Sequence, residues 1–156
     1  MKLIIVSVGH KMPDWITVGF NEYVKRMPRE AKIELLEIKP EPRTTGKTTE
    51  QIMQAEAQRI LAALPSSCWR IALDERGATP TTKQLATHMQ DWMREGCDVA
   101  FIVGGADGLH PTVKQSAKQL MALSALTLPH AFVRVLLAEQ LYRAHSLMHN
   151  HPYHRE

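Results

Sequence analysis

The stretch VAFIVGGADGLHPTVKQSAKQLMALSALTLPH, residues 99–130, decides the fold. An apolar run, Val99 to Val103, enters a turn at Gly104-Gly105, and Gly108 follows soon after. Pro111 suits the first position of a helix, where its missing N–H costs nothing. A second apolar segment, Leu123 to Leu128, is stopped by Pro129. The order is strand, glycine turn, helix, apolar loop. Glycines at such a turn let a ligand approach bare backbone. In open α/β sheets, ligands sit beyond the carboxyl ends of the strands. The turn is therefore a candidate ligand site, although a tight strand-to-helix turn without a ligand has the same sequence pattern.

The turn is a poor Rossmann fingerprint. That motif needs G-x-G-x-x-G and an acidic residue about 20 positions on. Here the turn reads Gly104-Gly105-Ala106-Asp107-Gly108, and no Asp or Glu occurs from Gly108 to Ala138. No Gly-Lys-Ser/Thr follows, so it is not a P-loop either.

Upstream, strands and helices alternate. Lys2 to Val8 is an apolar, β-branched run that reads as a buried strand. Pro13-Asp14 opens a helix to about Met27, with Ile16, Phe20, Tyr23, Val24 and Met27 at helical spacing. Ile33 to Ile38 is a second strand. Pro40 to Thr49 is a proline- and threonine-rich loop whose Arg43 and Lys47 could touch phosphate or simply be solvated. Thr49 to Leu64 is helical, and Trp69 to Asp74 is a third strand. A helix opened by Thr79-Pro80 runs to Glu95, with Leu85, His88, Met89, Trp92 and Met93 on one stripe. His88 on that stripe reads as a packed histidine. Asp98 to Val103 is the fourth strand. This is an α/β domain of three layers with a mainly parallel sheet, and residues 1–156 read as one domain.

The last helix, His130 to about Met148, is apolar around almost its whole circumference and so must be buried on all sides. In a chain this small, that predicts cover from a second subunit. Arg134, Glu139 and Arg143 lie within it. Glu139 and Arg143 are four apart and can pair. Charge on such a face is costly unless paired or used, so these residues are interface ion pairs or site residues.

With 44% hydrophobic and 22% charged residues and a formal charge of +3, the chain reads as an ordinary globular protein that permits an anionic partner without demanding one. Cys68 and Cys97 have no metal-type spacing and read as reduced, partly buried thiols. The N-terminal apolar run is too short for a signal peptide or a membrane span, so a cytoplasmic protein is expected. Neither Asp74-Glu75 nor His145 with His149 reads as a catalytic or metal site without further partners.

The segments KLIIVSVGHKMPDW, FIVGGADGLHP, LSALTLPHAFVRVLLAEQLYRA and NHPYHRE together resemble the bacterial 23S rRNA (pseudouridine-N3) methyltransferase (RlmH) family, over the full length. The resemblance implies the SPOUT fold, with a C-terminal trefoil knot, a homodimer and no metal. It implies S-adenosylmethionine bound by main-chain groups, and methylation of N3 of a pseudouridine on the assembled ribosome. It places cofactor binding on Leu73, Gly104 and the run Leu123, Ser124, Ala125, Leu126, Thr127 and Leu128. Gly105 joins them as the neighbour of Gly104 in the turn. The general base is not identified. Candidates are His130, Arg134, Glu139, Arg143, Tyr153, His154 and Arg155, of which Arg143 and the tail residues Tyr153 and His154 are favoured. Arg143 would stabilise an imide anion, Tyr153 would stack on the base and His154 would shuttle a proton. A dimer would let one tail complete the other subunit's site. The rival readings are a non-catalytic RNA- or nucleotide-binding module and, less favoured, a nicotinamide enzyme.

Overall fold

The computed structural model describes residues 1–155. Five strands form one parallel sheet in the order β2-β1-β4-β3-β5. They are β1 (Lys2–Val8), β2 (Lys32–Ile38), β3 (Trp69–Ala78), β4 (Val99–Val103) and β5 (Gln119–Met121). Five helices connect and cover them: α1 (Asp14–Val24), α2 (Thr49–Ala63), α3 (Thr82–Glu95), α4 (Pro111–Ser116) and α5 (His130–Met148).

The central strands are apolar on both sides because both faces are covered. Leu3, Ile5, Val99 and Phe101 belong to one core cluster with Phe20 of α1, Met89 of α3 and Leu137 of α5. Ile4, Val6, Ala100 and Ile102 belong to a second cluster with Ile60 of α2 and Val113 of α4. The three layers are therefore α1, α5 and α3, then the sheet, then α2 and α4. Helix starts follow local chemistry. Thr48 and Thr81 each form a reciprocal cap with the glutamine three residues on, Gln51 and Gln84. Gly96 ends α3 at φ 71°.

The structure corrects the sequence reading at several ends. Helix α1 stops at Val24 rather than near Met27, and α3 begins at Thr82 behind its Thr81 cap rather than at Thr79-Pro80. His88 is exposed, stacked on Trp92 at 6.0 Å between ring centroids, rather than packed inside. Strand β3 does not end at Asp74 but continues through a register shift to Ala78. Its far end is held by β5: Ala78 pairs with Met121, and Ala122 N–H donates to Ala78 C=O at 2.9 Å. Gly77 makes this approach possible, since a Cβ there would lie 2.5 Å from Met121 N.

Arg134 turns out to be a tie within the chain. Its side chain is 3% exposed, and it donates to Ser7 Oγ (3.2 Å), Gly9 C=O (2.8 Å) and Glu37 Oε2 (2.9 Å). A buried charge needs this degree of pairing. Much of the apolar circumference of α5 is likewise covered by its own chain, since Leu137, Ala138, Leu141 and Ala144 are fully buried.

Candidate functional site

The middle of β3, where its register shifts, and the carboxyl end of β4 open into a cavity of ≈ 440 Å³, within the usual span for small-molecule sites of roughly 300–1,000 Å³. Every cofactor residue expected from the sequence lines it: Leu73, Gly104, Gly105 and the run 123–128. These positions come from three separate parts of the chain. Strand β3 brings Leu73, the turn after β4 brings the glycines, and the loop between β5 and α5 brings the rest. His130 and Val133, at the start of α5, close one side.

The turn after β4 is compact. Gly108 N–H donates to Gly105 C=O at 3.0 Å, with Gly108 at φ 83°. A Cβ on Gly104 would lie 2.7 Å from the carbonyl carbon of Gly108. This glycine is thus required by the turn's own packing, whatever occupies the cavity. Across the loop, Ser124 Oγ accepts from Leu126 N–H at 2.9 Å and shapes the segment from within.

Charge sits at the cavity wall. Asp74 accepts from Arg76 N–H at 2.8 Å and pairs with Lys114 Nζ at 2.6 Å. Asp74 is therefore tied both to the local backbone and to a lysine. Asp107 pairs with Arg43 at 2.5 Å, so the 40–49 loop is tied to the glycine turn. Glu41 anchors that loop through Lys47 and Arg59, and its N–H donates to the buried Glu56 at 3.1 Å. The wall residues missed by sequence reading, Met53 and Lys114, carry no local motif, and Asp107 reads only as part of the glycine turn. Their signal is spatial only.

The Lys114 hydrogen bond, then the Arg76 N–H, hold the Asp74 carboxyl below its ordinary value. A carboxyl with a lowered folded pKa stabilises the fold above its unfolded value of about 3.9 and loses that contribution as pH falls through the folded one. Lys114→Met should cost about 1 kcal/mol at neutral pH and flatten the loss of stability below pH about 4. Urea melts between pH 7 and pH 2.5 check this: an unchanged acid limb would assign that loss to other carboxyls.

The favoured catalytic candidates form a cluster, but not at this cavity. Arg143 donates to Glu139 Oε1 through Nε at 2.8 Å, and its Nη1 lies 3.3 Å from His154 Nδ1. The Tyr153 hydroxyl donates to Glu139 Oε1 at 3.2 Å. The Arg143 guanidinium covers the Tyr153 ring at 4.7 Å, and Tyr142 meets that ring edge-on, also at 4.7 Å. The tail is thus folded back on α5. One face of the Tyr153 ring is covered by Arg143. Burial, followed by a hydrogen bond with Tyr23, pushes the Tyr153 phenol well above its ordinary value, so it stays protonated at neutral pH. For Arg143, burial works against the charge and the Glu139 carboxylate more than offsets it.

None of Arg143, Tyr153 and His154 lines the cavity of the same chain. Ten residues of α5 separate Arg143 from Val133, an axial distance of about 15 Å. Arg155 is exposed, and Glu156, the last residue of the NHPYHRE segment, lies outside the described residues. The His145 and His149 rings meet at a tilt of 44°, 4.4 Å between centroids. The described residues contain no group of three His, Cys, Asp or Glu placed to hold a metal ion.

A family model described as "Predicted SPOUT methyltransferase" matches residues 1–154. The chain is 60% identical over 155 residues to ribosomal RNA large subunit methyltransferase H of Nitrosospira multiformis, covering 99% of each chain. The protein of the same name from Ralstonia nicotianae is 63% identical over 155 residues, again covering 99% of each chain. Among solved structures, a probable methyltransferase from Bordetella pertussis Tohama I is similar with a TM-score of 0.56 at 15% identity, covering 92% of this chain and 93% of that one. At that identity the likeness speaks for the fold alone.

Proposed function

This chain belongs to the SPOUT methyltransferase family, and on that premise we propose that its cavity holds S-adenosylmethionine for methylation of N3 of a pseudouridine in 23S rRNA on the assembled ribosome. At the coarser level the protein is a large-subunit rRNA methyltransferase. The non-catalytic binding module is not favoured. The knotted threading of the C-terminal segment belongs to the same proposal, as does work in the cytoplasm, where the ribosomes are. Among the described residues no helix is long and apolar enough to cross a membrane.

One observation supports the cofactor reading above others: Leu73, the glycine turn and the whole 123–128 loop converge on one cavity although they come from distant parts of the chain. The residues fit the group. Leu73, Leu123 and Leu128 offer apolar surface for a purine. Main-chain N–H and C=O groups of the loop can bond its polar edges, which removes the need for the acidic ribose ligand of a Rossmann turn. The wall carboxylates Asp74 and Asp107 are already paired with Lys114 and Arg43, so the cavity carries little net charge of its own.

When bound, S-adenosylmethionine supplies a methyl group already activated by the sulfonium charge. What this chain must do is hold the target base in line and favour loss of the imide proton, and placement alone can lower the barrier by several kcal/mol, up to about 10. Arg143, fixed by Glu139, is a cation able to stabilise the imide anion. His154, whose Nδ1 faces that guanidinium at 3.3 Å, takes the proton on Nδ1 once Arg143 turns from it to the imide anion. Tyr153, protonated and covered by Arg143, acts as the clamp that orients that guanidinium.

Because these groups do not line their own cavity, they serve a partner's. The surface offers a place for a second copy. Trp15 (61% exposed), Val18 (69%) and Phe132 (38%) form an apolar patch across α1 and α5, with the Trp15 and Phe132 rings 6.3 Å apart. Leu126, at the cavity, is 76% exposed. A homodimer on this patch would bury them.

Calorimetric titration with S-adenosylmethionine, followed by mass mapping of large-subunit rRNA from a strain lacking the gene, tests the reading. Binding in the micromolar range and loss of one methyl mark, restored by complementation, are expected. No binding, or an unchanged rRNA methyl map, would refute it.

A further inference from the structure

A second cavity, of ≈ 310 Å³, opens beside the carboxyl ends of β1 and β2. Its inner wall includes Arg134, which uses three of its five N–H donors on Ser7, Gly9 and Glu37. Two donors remain on a side chain that is 3% exposed. Glu37 spends Oε2 on Arg134, and its Oε1 has no hydrogen-bond partner among the described residues. Asn21 and Thr17 line the cavity from α1, and neither side chain is hydrogen-bonded among the described residues. At the mouth stand His10 and Lys11, both exposed and without an ion-pair partner among the described residues.

The placement matters as much as the chemistry. Residues 15 and 17 are about 200° apart around a helix. Thr17 therefore faces away from Trp15, whereas Asn21 lies only about 60° from Val18, so the cavity borders the Trp15–Val18–Phe132 patch with its Thr17 side turned away from it. Val133 lines the first cavity and Arg134 the second, so the start of α5 is their shared wall.

A fixed guanidinium, a half-used carboxylate and a free amide offer both donors and acceptors, which is what the edge of a nucleobase requires. A bare anion would meet Glu37. The two cations at the mouth suit a phosphate. Unstacked single-stranded RNA is recognised by such edge contacts. Resting on the reading of the protein as an rRNA methyltransferase, the geometry points to this cavity as a subsite for an unpaired nucleotide next to the target. Its base edge meets Arg134, Glu37 and Asn21, and its phosphate meets His10 and Lys11.

The test uses Lys11→Ala and Asn21→Ala in the full-length protein, which leave Arg134 in place. Ribosome binding is measured by co-sedimentation without methyl donor across a salt series, and donor binding by calorimetry. Lys11→Ala should weaken ribosome binding about tenfold and lower the slope of log K against log salt by about 0.7. Asn21→Ala should weaken it about fivefold with the salt slope unchanged. S-adenosylmethionine affinity should be unaltered in both. Unchanged ribosome affinity in both variants overturns the subsite. So does a fall in donor affinity with no fall in ribosome affinity. Failure of the wild-type protein to bind the donor refutes the methyltransferase reading instead, and the donor-free binding arm still decides the subsite.

Discussion

A protein truncated after Asn150 should bind S-adenosylmethionine and still transfer methyl groups to ribosomes about a hundredfold more slowly, or worse. The truncation removes Tyr153 and His154 and uncovers Arg143, while every residue lining the cavity remains. The decisive experiment mixes this protein with a Gly104→Val variant. A side chain at 104 cannot be accommodated, since even its Cβ would lie 2.7 Å from the Gly108 carbonyl carbon. Each parent should be nearly inactive, one for want of a tail and the other for want of a cavity. If the tail acts on the partner's cavity, refolding the two together gives mixed dimers with one intact site. Random pairing then restores about a quarter of wild-type activity, because half the dimers are mixed and each carries one working site of two. Full activity of the truncated protein alone would remove the tail from the chemistry. A mixture no better than its parents would mean that the tail serves its own cavity or none.

The strands most legible in the sequence were those buried on both faces. Lys2–Val8 and Val99–Val103 are continuous apolar runs, and the structure places them side by side at the sheet centre. The positions that the resemblance assigns to a cofactor lie on three chain segments far apart in sequence, and these meet at one cavity. What local pattern could not reveal depends on pairing at a distance. Glu75-Arg76-Gly77 has the composition of a turn, yet it continues β3 because β5 pairs with its far end. Arg134 is an isolated charge in an apolar helix until β1 and β2 place Gly9 C=O and Glu37 beside it. The all-round apolarity of α5 suggested a subunit interface. Much of it is satisfied by α1 and α3 within the chain, and the residue left most open among its large apolar side chains is Phe132. The 40–49 loop looked unattached for the same reason, because its anchors, Glu56 and Asp107, lie on other elements.

Gly77→Ala should do more damage than its exposed-looking neighbours suggest. A Cβ at position 77 would sit 2.5 Å from Met121 N, 2.6 Å from Leu120 C and 2.7 Å from Met121 C. All three are backbone atoms, so no side-chain rotation relieves the clash. Either the end of β3 or the whole of β5 must move, and the Ala122–Ala78 hydrogen bond of 2.9 Å is strained or lost. The expected cost is about 2–4 kcal/mol, or about 5–15 °C in melting temperature for a chain of this length. The functional effect should be larger than the stability loss alone explains. Residues 123–128 begin directly beyond Ala122, so a displaced β5 moves one wall of the cavity relative to Leu73 and the glycine turn. Below the melting transition, S-adenosylmethionine affinity should fall at least about tenfold, equivalent to 1.4 kcal/mol. Gly96→Ala is the control. That glycine lies at φ 71° with nothing within 4 Å of a Cβ, so the substitution costs about 1 kcal/mol of backbone strain and leaves donor binding intact. If Gly77→Ala binds the donor as the wild type does, the loop is positioned by something other than β5. If Gly96→Ala loses donor binding to the same degree, the loss reflects general destabilisation rather than the β3–β5 junction.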